Sequence, residues 1–322
     1  MRNNKQGAEN QISKQLRRPR SAQSKRRRRK VKVSKWSWWK KLTGLCVIIL
    51  AFIMLWRSFV DNPTFDTKEI SQSTSDTPIY ILAVGLDDQP MPNADALVVL
   101  SMNREQQYAT LISLLPETNI GTGDEDTVQL LGNVYRSGGI QALKEKVEST
   151  LHIFIPYYVV MRMPTAAKWL DKRGKVDFYV EKDLYREGEN GTEVNLRQGF
   201  QELRGGDAVS YLRYREDGFS SLARVQRQQR FIKAFTEKLR HHYTLENYLY
   251  TYWYWSPDET NISADDAAKT VCFLTNLSPE NWHYYITPGH YVRTEIEGYW
   301  RLDSIGVQNI IGLTLRPDIA GR

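Results

Sequence analysis

An apolar run of 19 residues near the N-terminus constrains this chain more than any other feature. The run, LTGLCVIILAFIMLWRSFV (Leu42–Val60), contains one charged residue, Arg57. As a helix it would be roughly 28 Å long at 1.5 Å per residue, which is enough to cross the core of a bilayer. We expect one transmembrane helix over residues 42–60. The alternative is a cleaved secretory signal, which would have a shorter basic region and a small-residue cleavage site after the apolar run.

The segment before this run is strongly basic. Residues 1–41 contain 16 Lys and Arg against one acid, a net charge of +15, whereas the rest of the chain has a net charge of −8. Because positively charged flanks stay on the cytoplasmic side, we expect a cytoplasmic tail and a main domain outside the cell membrane. A polybasic tail can also bind anionic lipid or nucleic acid. Because the main domain would lie on the other face of the membrane, no nucleic-acid partner is expected.

The remaining chain divides into a stalk and one large domain. Residues 61–78 are polar and rich in Ser and Thr, which is typical of a flexible stalk. Residues 79–322 are long enough to bury a large core. The two cysteines, Cys46 and Cys272, cannot plausibly pair, and an exported domain without disulfides is ordinary for a Gram-positive bacterium.

Apolar β-type runs alternate with helical patterns through the main domain. The first two runs are apolar on both faces, as central strands covered by helices would be. The pattern predicts an α/β fold, a three-layer α/β/α sandwich. We predict strands at 79–86, 96–102, 108–115, 157–163, 176–180, 208–215 and 282–286, and helices at 138–151, 166–170, 221–239, 264–274 and 304–313.

The stretch YLRYREDGFSSLARVQRQQRF, residues 211–231, is rich in arginine. In the predicted strand 208–215, Arg213 and Arg215 would share one face, since side chains alternate along a strand. In the following helix, Arg224 and Gln228 fall within the apolar arc, and Arg227 falls at its edge. An uncompensated buried charge costs several kcal/mol, so these side chains need partners.

Two kinds of partner remain open for the arginines. Each one alone is explained by a carboxylate of the same domain. Four converging guanidinium groups with an amide, however, match the oxygens of a phosphate or pyrophosphate.

A second cluster is acidic and lies in GLDDQPMPNADALVV, residues 85–99. Asp87 follows one predicted strand and Asp95 precedes the next, so both carboxylates can border one cleft. Such ligands suit Mg²⁺ when phosphates complete its coordination, although aspartates at strand ends are also common turn formers. Together the two clusters predict phosphoryl transfer by electrostatic stabilisation.

These segments resemble the LytR-CpsA-Psr family of bacterial cell-envelope proteins from Ile79 to about Leu239. The most specific similarity is the combination of NLRQGFQELRGGDAVSYLRYR with RVQRQQ. The resemblance implies a magnesium-dependent transferase that moves an anionic glycopolymer, of the teichoic acid or capsule type, from an undecaprenyl-pyrophosphate carrier to peptidoglycan.

The resemblance also implies roles for individual residues. Asp87 and Asp95 would bind the metal, and an arginine set would bind the pyrophosphate. In that set, Arg213, Arg215 and Arg224 would be catalytic, while Arg227 and Gln228 would bind substrate.

The chain departs from the family pattern at four positions. Gln89, Asn93 and Pro116 stand where the family has arginine, and Ser221 stands where it has aspartate. Each charge-assisted bond lost could cost about 1.5 to 3 kcal/mol. This motivates a second hypothesis, a catalytically weak member that binds polyprenyl-pyrophosphate ligands and acts as a regulator, the transcriptional attenuator role given to many relatives. A third, a membrane-tethered nucleic-acid binder, depends on the tail alone.

Overall fold

In a computed structural model of the chain, the described residues are 43, 45–54, 77–121, 128–188, 191–216, 221–293 and 298–315. Residues 43 and 45–54 are helical and belong to a separate unit that ends at Met54. None of the helices formed by the described residues is long and apolar enough to cross a membrane. The predicted tail (1–41), most of the predicted stalk (61–78) and parts of the predicted span (42–60) lie outside the described residues.

The centre of the folded region is a six-stranded mixed sheet. Its strands are β1 (Ile79–Leu86), β2 (Ala94–Asn103), β3 (Tyr108–Leu114), β4 (Tyr157–Arg162), β9 (Glu259–Thr260) and β10 (Trp282–Ile286). They lie in the order β10-β3-β2-β1-β4-β9. Neighbours joined by short turns, β1 with β2 and β2 with β3, are antiparallel, whereas β4 pairs parallel with β1 and β10 parallel with β3.

Helices contact both faces of this sheet. They are α1 (Val134–Leu151), α2 (Met163–Arg173), α3 (Gly205–Arg213), α4 (Ser221–Arg240), α5 (Thr244–Tyr254), α6 (Ala264–Asn276) and α7 (Ser304–Leu315). Leu82 of β1 shares a core with Leu143 of α1 and Ile311 of α7. Its neighbour Ile81, on the opposite face because strand side chains alternate, packs with Ala267 of α6. The α/β prediction with a central sheet is confirmed.

A second core lies under α3 and α4. It is built on short hairpins in which β5 (Val176–Val180) pairs with β8 (Gly199–Leu203) and β6 (Leu184–Gly188) pairs with β7 (Gly191–Leu196). Phe178 contacts Tyr211 of α3 and Phe231 of α4, with ring centroids 4.8 and 5.8 Å apart. Three strands therefore occupy the segment between β5 and residue 208, where the sequence predicts none. A further hairpin joins β11 (Gly289–Val292) and β12 (Tyr299–Leu302).

The predicted strand 208–215 is also wrong, because α3 occupies residues 205–213. Ala208 and Tyr211 lie three residues apart and are both buried, a helical spacing that the alternating letters of AVSYLRYR concealed. The N–H of Gly205 donates to Oδ1 of Asp171, 2.7 Å away, at the start of the helix. Arg213 is consequently the last helical residue, and Arg215 follows the extended Tyr214.

The predicted helix 138–151 is confirmed, and the helical segment continues to Val134 on the N-terminal side. The two parts of α1 meet at a kink at Gly139, where φ is 66° and ψ is −163°. Glycine tolerates this conformation because it has no Cβ. The kink lets residues 134–138 follow a different direction from the helix that packs on the sheet.

Candidate functional site

The end of the β1–β2 hairpin provides the acidic side of the site. Residues 87–93, which we call the acidic loop, are closed by a hydrogen bond from the N–H of Asp87 to the carbonyl of Asn93, 3.1 Å long. The Asp87 carboxylate accepts the N–H of Gln89 at 3.2 Å. Asp95 lies one residue into β2, rather than before it as predicted. The antiparallel pairing thus places Asp87 and Asp95 at the same end of the hairpin.

Arg224 is the buried centre of the site. It lies in the first turns of α4 and is 2% exposed. Its Nη1 is 3.1 Å from Oδ1 of Asp95, and its Nη2 is 3.5 Å from Oε1 of Glu117. Burial lowers the pKa of Arg224, an effect that the Asp95 carboxylate opposes. The predicted burial of Arg224 is confirmed, and its charge is balanced by carboxylates from β2 and from the segment after β3.

Arg215 contacts the same Glu117 carboxylate as Arg224 does. Its guanidinium group is ion-paired with Glu117 and donates to the hydroxyl of Ser221, the first residue of α4. Glu117 therefore joins Arg215 and Arg224. The aspartate that the family has at position 221 is replaced here by a neutral acceptor, and Glu117 supplies the carboxylate.

The third predicted catalytic arginine contacts the acidic loop directly. Nη2 of Arg213 lies 3.6 Å from Oδ1 of Asp88, and the two side chains are 27% and 51% exposed. This exposure leaves the pair open to competition from a ligand, because exposed ion pairs contribute little free energy.

The two predicted substrate-binding residues face the backbone between α3 and α4. Arg227 is buried, donates to the carbonyl of Tyr214 and lies over the ring of Tyr214. Its Nη1 is 3.7 Å from Oε1 of Glu181. Gln228 donates to the carbonyl of Leu212 at 3.4 Å. In this arrangement both side chains support the segment that presents Arg213 and Arg215.

Several buried polar atoms at the site have no hydrogen-bond partner among the described residues. They are Oε2 of Glu117, Nε of Arg215, Nε and Nη2 of Arg224, and Oδ1 of Asn93. Since buried polar atoms are nearly always hydrogen-bonded, a group of such atoms indicates the position of a polar ligand. Guanidinium nitrogens predominate, so the ligand they suit is an anion.

The two predicted metal ligands fit a magnesium ion only in part. In the described part of the chain, no group of three or more His, Cys, Asp and Glu side chains could hold a metal ion. Asp87 forms no ion pair with the described residues, whereas Asp95 is already paired with Arg224. Two carboxylates nevertheless suit Mg²⁺ when phosphate oxygens and water complete its shell.

The four departures have different surroundings. Gln89 is exposed on the acidic loop, while Pro116 is buried. Gly132 packs so closely on Pro116 that a Cβ at Gly132 would lie 2.9 Å from the Cβ of Pro116. A longer side chain can therefore be accommodated at position 89, on the acidic loop, but not at position 116, which follows β3.

Sequence reasoning missed two carboxylates of the site. They are Glu117, which pairs with Arg215 and Arg224, and Glu181, which pairs with Arg227 and Arg230. The signal for Glu117 was its place directly after the apolar run SLLP. The sequence carries no comparable signal for Glu181.

Comparison with known proteins identifies a family and a fold. The model described as the LytR_cpsA_psr family matches residues 60–285. Two curated relatives are named polyisoprenyl-teichoic acid–peptidoglycan teichoic acid transferase TagU. The one from Halalkalibacterium halodurans is 27% identical over 49% of this chain and 52% of its own length. The one from Enterococcus faecalis is 25% identical over 65% of this chain and 71% of its own length. This chain thus spans about half the length of the first relative.

Two solved structures share the fold. B. subtilis TagV superposes with a TM-score of 0.65 at 19% identity, over 76% of this chain and 98% of that chain. The protein YwtF (TagT) with bound octaprenyl pyrophosphate lipid superposes with a TM-score of 0.58 at 18% identity, over 80% of this chain and 97% of that chain.

Proposed function

Because this chain belongs to the LytR-CpsA-Psr family, we propose that it transfers an anionic glycopolymer, of the teichoic acid or capsule type, from an undecaprenyl-pyrophosphate carrier to peptidoglycan. The names of two relatives as teichoic acid transferases support this role, as does the octaprenyl pyrophosphate bound to a protein of the same fold. The observation that carries the proposal is Arg224, which is buried between Asp95 and Glu117 and has two guanidinium nitrogens, Nε and Nη2, without a hydrogen-bond partner among the described residues.

In the proposed mechanism the arginines act on the carrier pyrophosphate. Arg213, whose ion pair with Asp88 is exposed, and Arg215 bind its oxygens, and Arg224 stabilises the charge that develops on the leaving group. Arg227 and Gln228 hold the backbone of residues 212–214 and so position Arg213 and Arg215. Asp87 and Asp95 would hold Mg²⁺, which would neutralise phosphate charge when bound.

The reaction exchanges one phosphorus–oxygen bond for another. A hydroxyl group of a peptidoglycan sugar attacks the phosphorus linked to the polymer and gives up its proton to water. The bond from that phosphorus to the bridging oxygen breaks, and prenyl phosphate leaves. Preorganised cations lower the barrier because they are already aimed at the oxygens on which charge accumulates.

The proposed location follows from the sequence. A helix over residues 42–60 would anchor the chain in the cell membrane, with residues 1–41 in the cytoplasm and the folded region outside. There the folded region could meet both a lipid-linked substrate and peptidoglycan. No nucleic-acid partner is expected for a domain placed on that side.

The test is release of prenyl phosphate by the full chain in detergent. We expect Mg²⁺-dependent turnover of a short-chain prenyl-pyrophosphate sugar, and a loss of about 100-fold in Arg213→Ala and Asp87→Ala. Arg240→Ala is the matched control, because Arg240 lies at the far end of α4 and is neutralised by Glu237, 2.7 Å away. Absence of turnover and of ligand binding in the folded parent protein would refute the proposal.

The second candidate function is ligand binding without transfer, in a cell-envelope regulator. Gln89, Asn93 and Pro116 favour it, since these three positions lack the arginines that the family has there. The same assay separates the two candidates: tight binding of the prenyl-pyrophosphate sugar without turnover is the result expected of the regulator.

A further inference from the structure

Two arginines outside the predicted set contact the acidic loop. Nε of Arg136, in the first turn of α1, donates to the carbonyl of Met91 at 3.0 Å. Nη1 of Arg162, the last residue of β4, donates to the carbonyl of Gln89 at 3.5 Å. Both contacts are exposed, and they come from elements other than the helices that carry Arg213 and Arg224.

Neither of these guanidinium groups is neutralised by a carboxylate of the described residues. Two acids at the start of the neighbouring strand β9 accept hydrogen bonds from other groups. Asp258 accepts the backbone N–H of Arg162 at 2.6 Å and the hydroxyl of Thr165 at 3.0 Å. Glu259 accepts the hydroxyl of Tyr135 at 3.2 Å. Among the described residues, no carboxylate oxygen lies within 4.0 Å of a guanidinium nitrogen of Arg136 or Arg162, although Asp258 and Glu259 lie near Arg162.

This distinguishes them from the arginines around Arg224. Those five, Arg213, Arg215, Arg224, Arg227 and Arg230, each lie within 4.0 Å of a carboxylate oxygen. A guanidinium group has five N–H donors, and a bond to one carbonyl leaves most of them available. Arg136 and Arg162 thus combine contact with the acidic loop, spare donors and, within the described residues, no ion-paired carboxylate, which are features suited to binding an external oxyanion.

We propose that Arg136 and Arg162 form a second anion-binding subsite, which takes a phosphodiester group of the glycopolymer while the Arg224 cluster takes the carrier pyrophosphate. The acidic loop connects the subsites, since Asp88 of this loop pairs with Arg213. A neutral glycan would offer these two cations no counter-charge, whereas the phosphodiester groups of a phosphate-bearing polymer would. The inference rests on the proposed function, whose substrate it specifies.

The competing explanation is that both arginines only brace the acidic loop. Glutamine separates the two roles because its amide can still donate to a carbonyl but has no charge. If bracing is the whole role, the double variant Arg136→Gln/Arg162→Gln should bind anions as the parent protein does. If charge is required, affinity should fall in the glutamine variant and return in Arg136→Lys/Arg162→Lys.

The experiment measures two ligands by calorimetry on the full chain in detergent: inorganic pyrophosphate with Mg²⁺, and a short poly(glycerol phosphate). We expect the double glutamine variant to bind poly(glycerol phosphate) about tenfold more weakly at low salt, with a shallower salt dependence. Pyrophosphate affinity should change by less than about twofold, as should both affinities in the control Arg240→Gln. A neutral dextran oligomer of similar length should not bind.

The possible failures are distinguishable. Unchanged poly(glycerol phosphate) affinity in the double glutamine variant would overturn the subsite and leave the proposed function intact. A parent protein that binds poly(glycerol phosphate) through Arg136 and Arg162 but does not bind pyrophosphate would contradict the proposed carrier site instead. Binding of neither ligand would overturn both.

Discussion

At the scale of single residues, the site balances its own charges. Five arginines meet the carboxylates of Asp88, Asp95, Glu117 and Glu181, and Asp87 adds a fifth negative charge beside them. Such a cluster has donors for phosphate oxygens but no net positive charge for a pyrophosphate. The missing charge has to come from a bound cation or from new arginines.

This balance predicts the effect of restoring an arginine that the family has. Gln89→Arg should raise the affinity for inorganic pyrophosphate about tenfold, since one charge-assisted hydrogen bond contributes roughly 1.5 to 3 kcal/mol. The gain should be largest without Mg²⁺, when the site lacks positive charge. Titration calorimetry with and without Mg²⁺ checks this.

The matched control is Gln308→Arg, which adds the same charge to an exposed position of α7. A similar gain in that variant would show that overall charge, rather than position 89, governs affinity. Pro116→Arg is a poor alternative because position 116 is buried against Gly132.

The sequence predicted part of this chemistry. Helical spacing placed Arg224 and Gln228 within an apolar arc, and both are buried. The same spacing could not identify Glu117 and Asp95 as the partners of Arg224, because both are remote from it in sequence. Helical spacing indicates that the arginine is buried and does not depend on which carboxylate pairs with it. Asp95 was predicted as a metal ligand, and the structure adds an ion pair to its surroundings.

At the scale of elements, long or strongly apolar segments were predictable and short amphipathic ones were not. The strands of the central sheet and the helices near 221–239, 264–274 and 304–313 all match their predictions to within a few residues, apart from the short β9. The eight letters of AVSYLRYR satisfy a period of 2 as well as the helical period. The contacts of this segment with α2 and with the second core favour the helix α3 over a strand.

The contact between α2 and α3 predicts contrasting effects of two adjacent glycines. A Cβ on Gly205 would lie 2.0 Å from the carbonyl oxygen of Ala167, whereas a Cβ on Gly206 would meet nothing within 4 Å. Gly205→Ala should therefore lower the free energy of unfolding by roughly 2 to 3 kcal/mol and weaken pyrophosphate binding by displacing Arg213.

Gly206→Ala serves as the control and should stabilise the helix by about 0.5 to 1 kcal/mol, since alanine loses less backbone entropy. Urea denaturation of both variants measures the difference. Equal stabilities would mean that α2 and α3 do not approach each other as closely as described.

At the scale of the whole molecule, the chain is divided by charge. The 16 Lys and Arg of residues 1–41, directly before the apolar run of residues 42–60, predict that the basic part lies in the cytoplasm and the folded region on the other side of a membrane. With an epitope tag at the N-terminus, proteinase K added to intact cells should remove the folded region and leave the tag. Permeabilised cells should lose both, and loss of the tag from intact cells would reverse the predicted orientation.

The ion pairs at the site join parts of the chain that are far apart in sequence. Arg224 and Asp95 are separated by 129 positions, and Arg215 and Glu117 by 98. In a chain that has not finished folding, these ion pairs have not formed, so the binding site for a ligand is absent. Ligand binding therefore requires the fully folded protein, because only that state has the complete binding site. The ligand in turn protects that molecule, contributing about 2.7 kcal/mol when its concentration is 100 times its Kd.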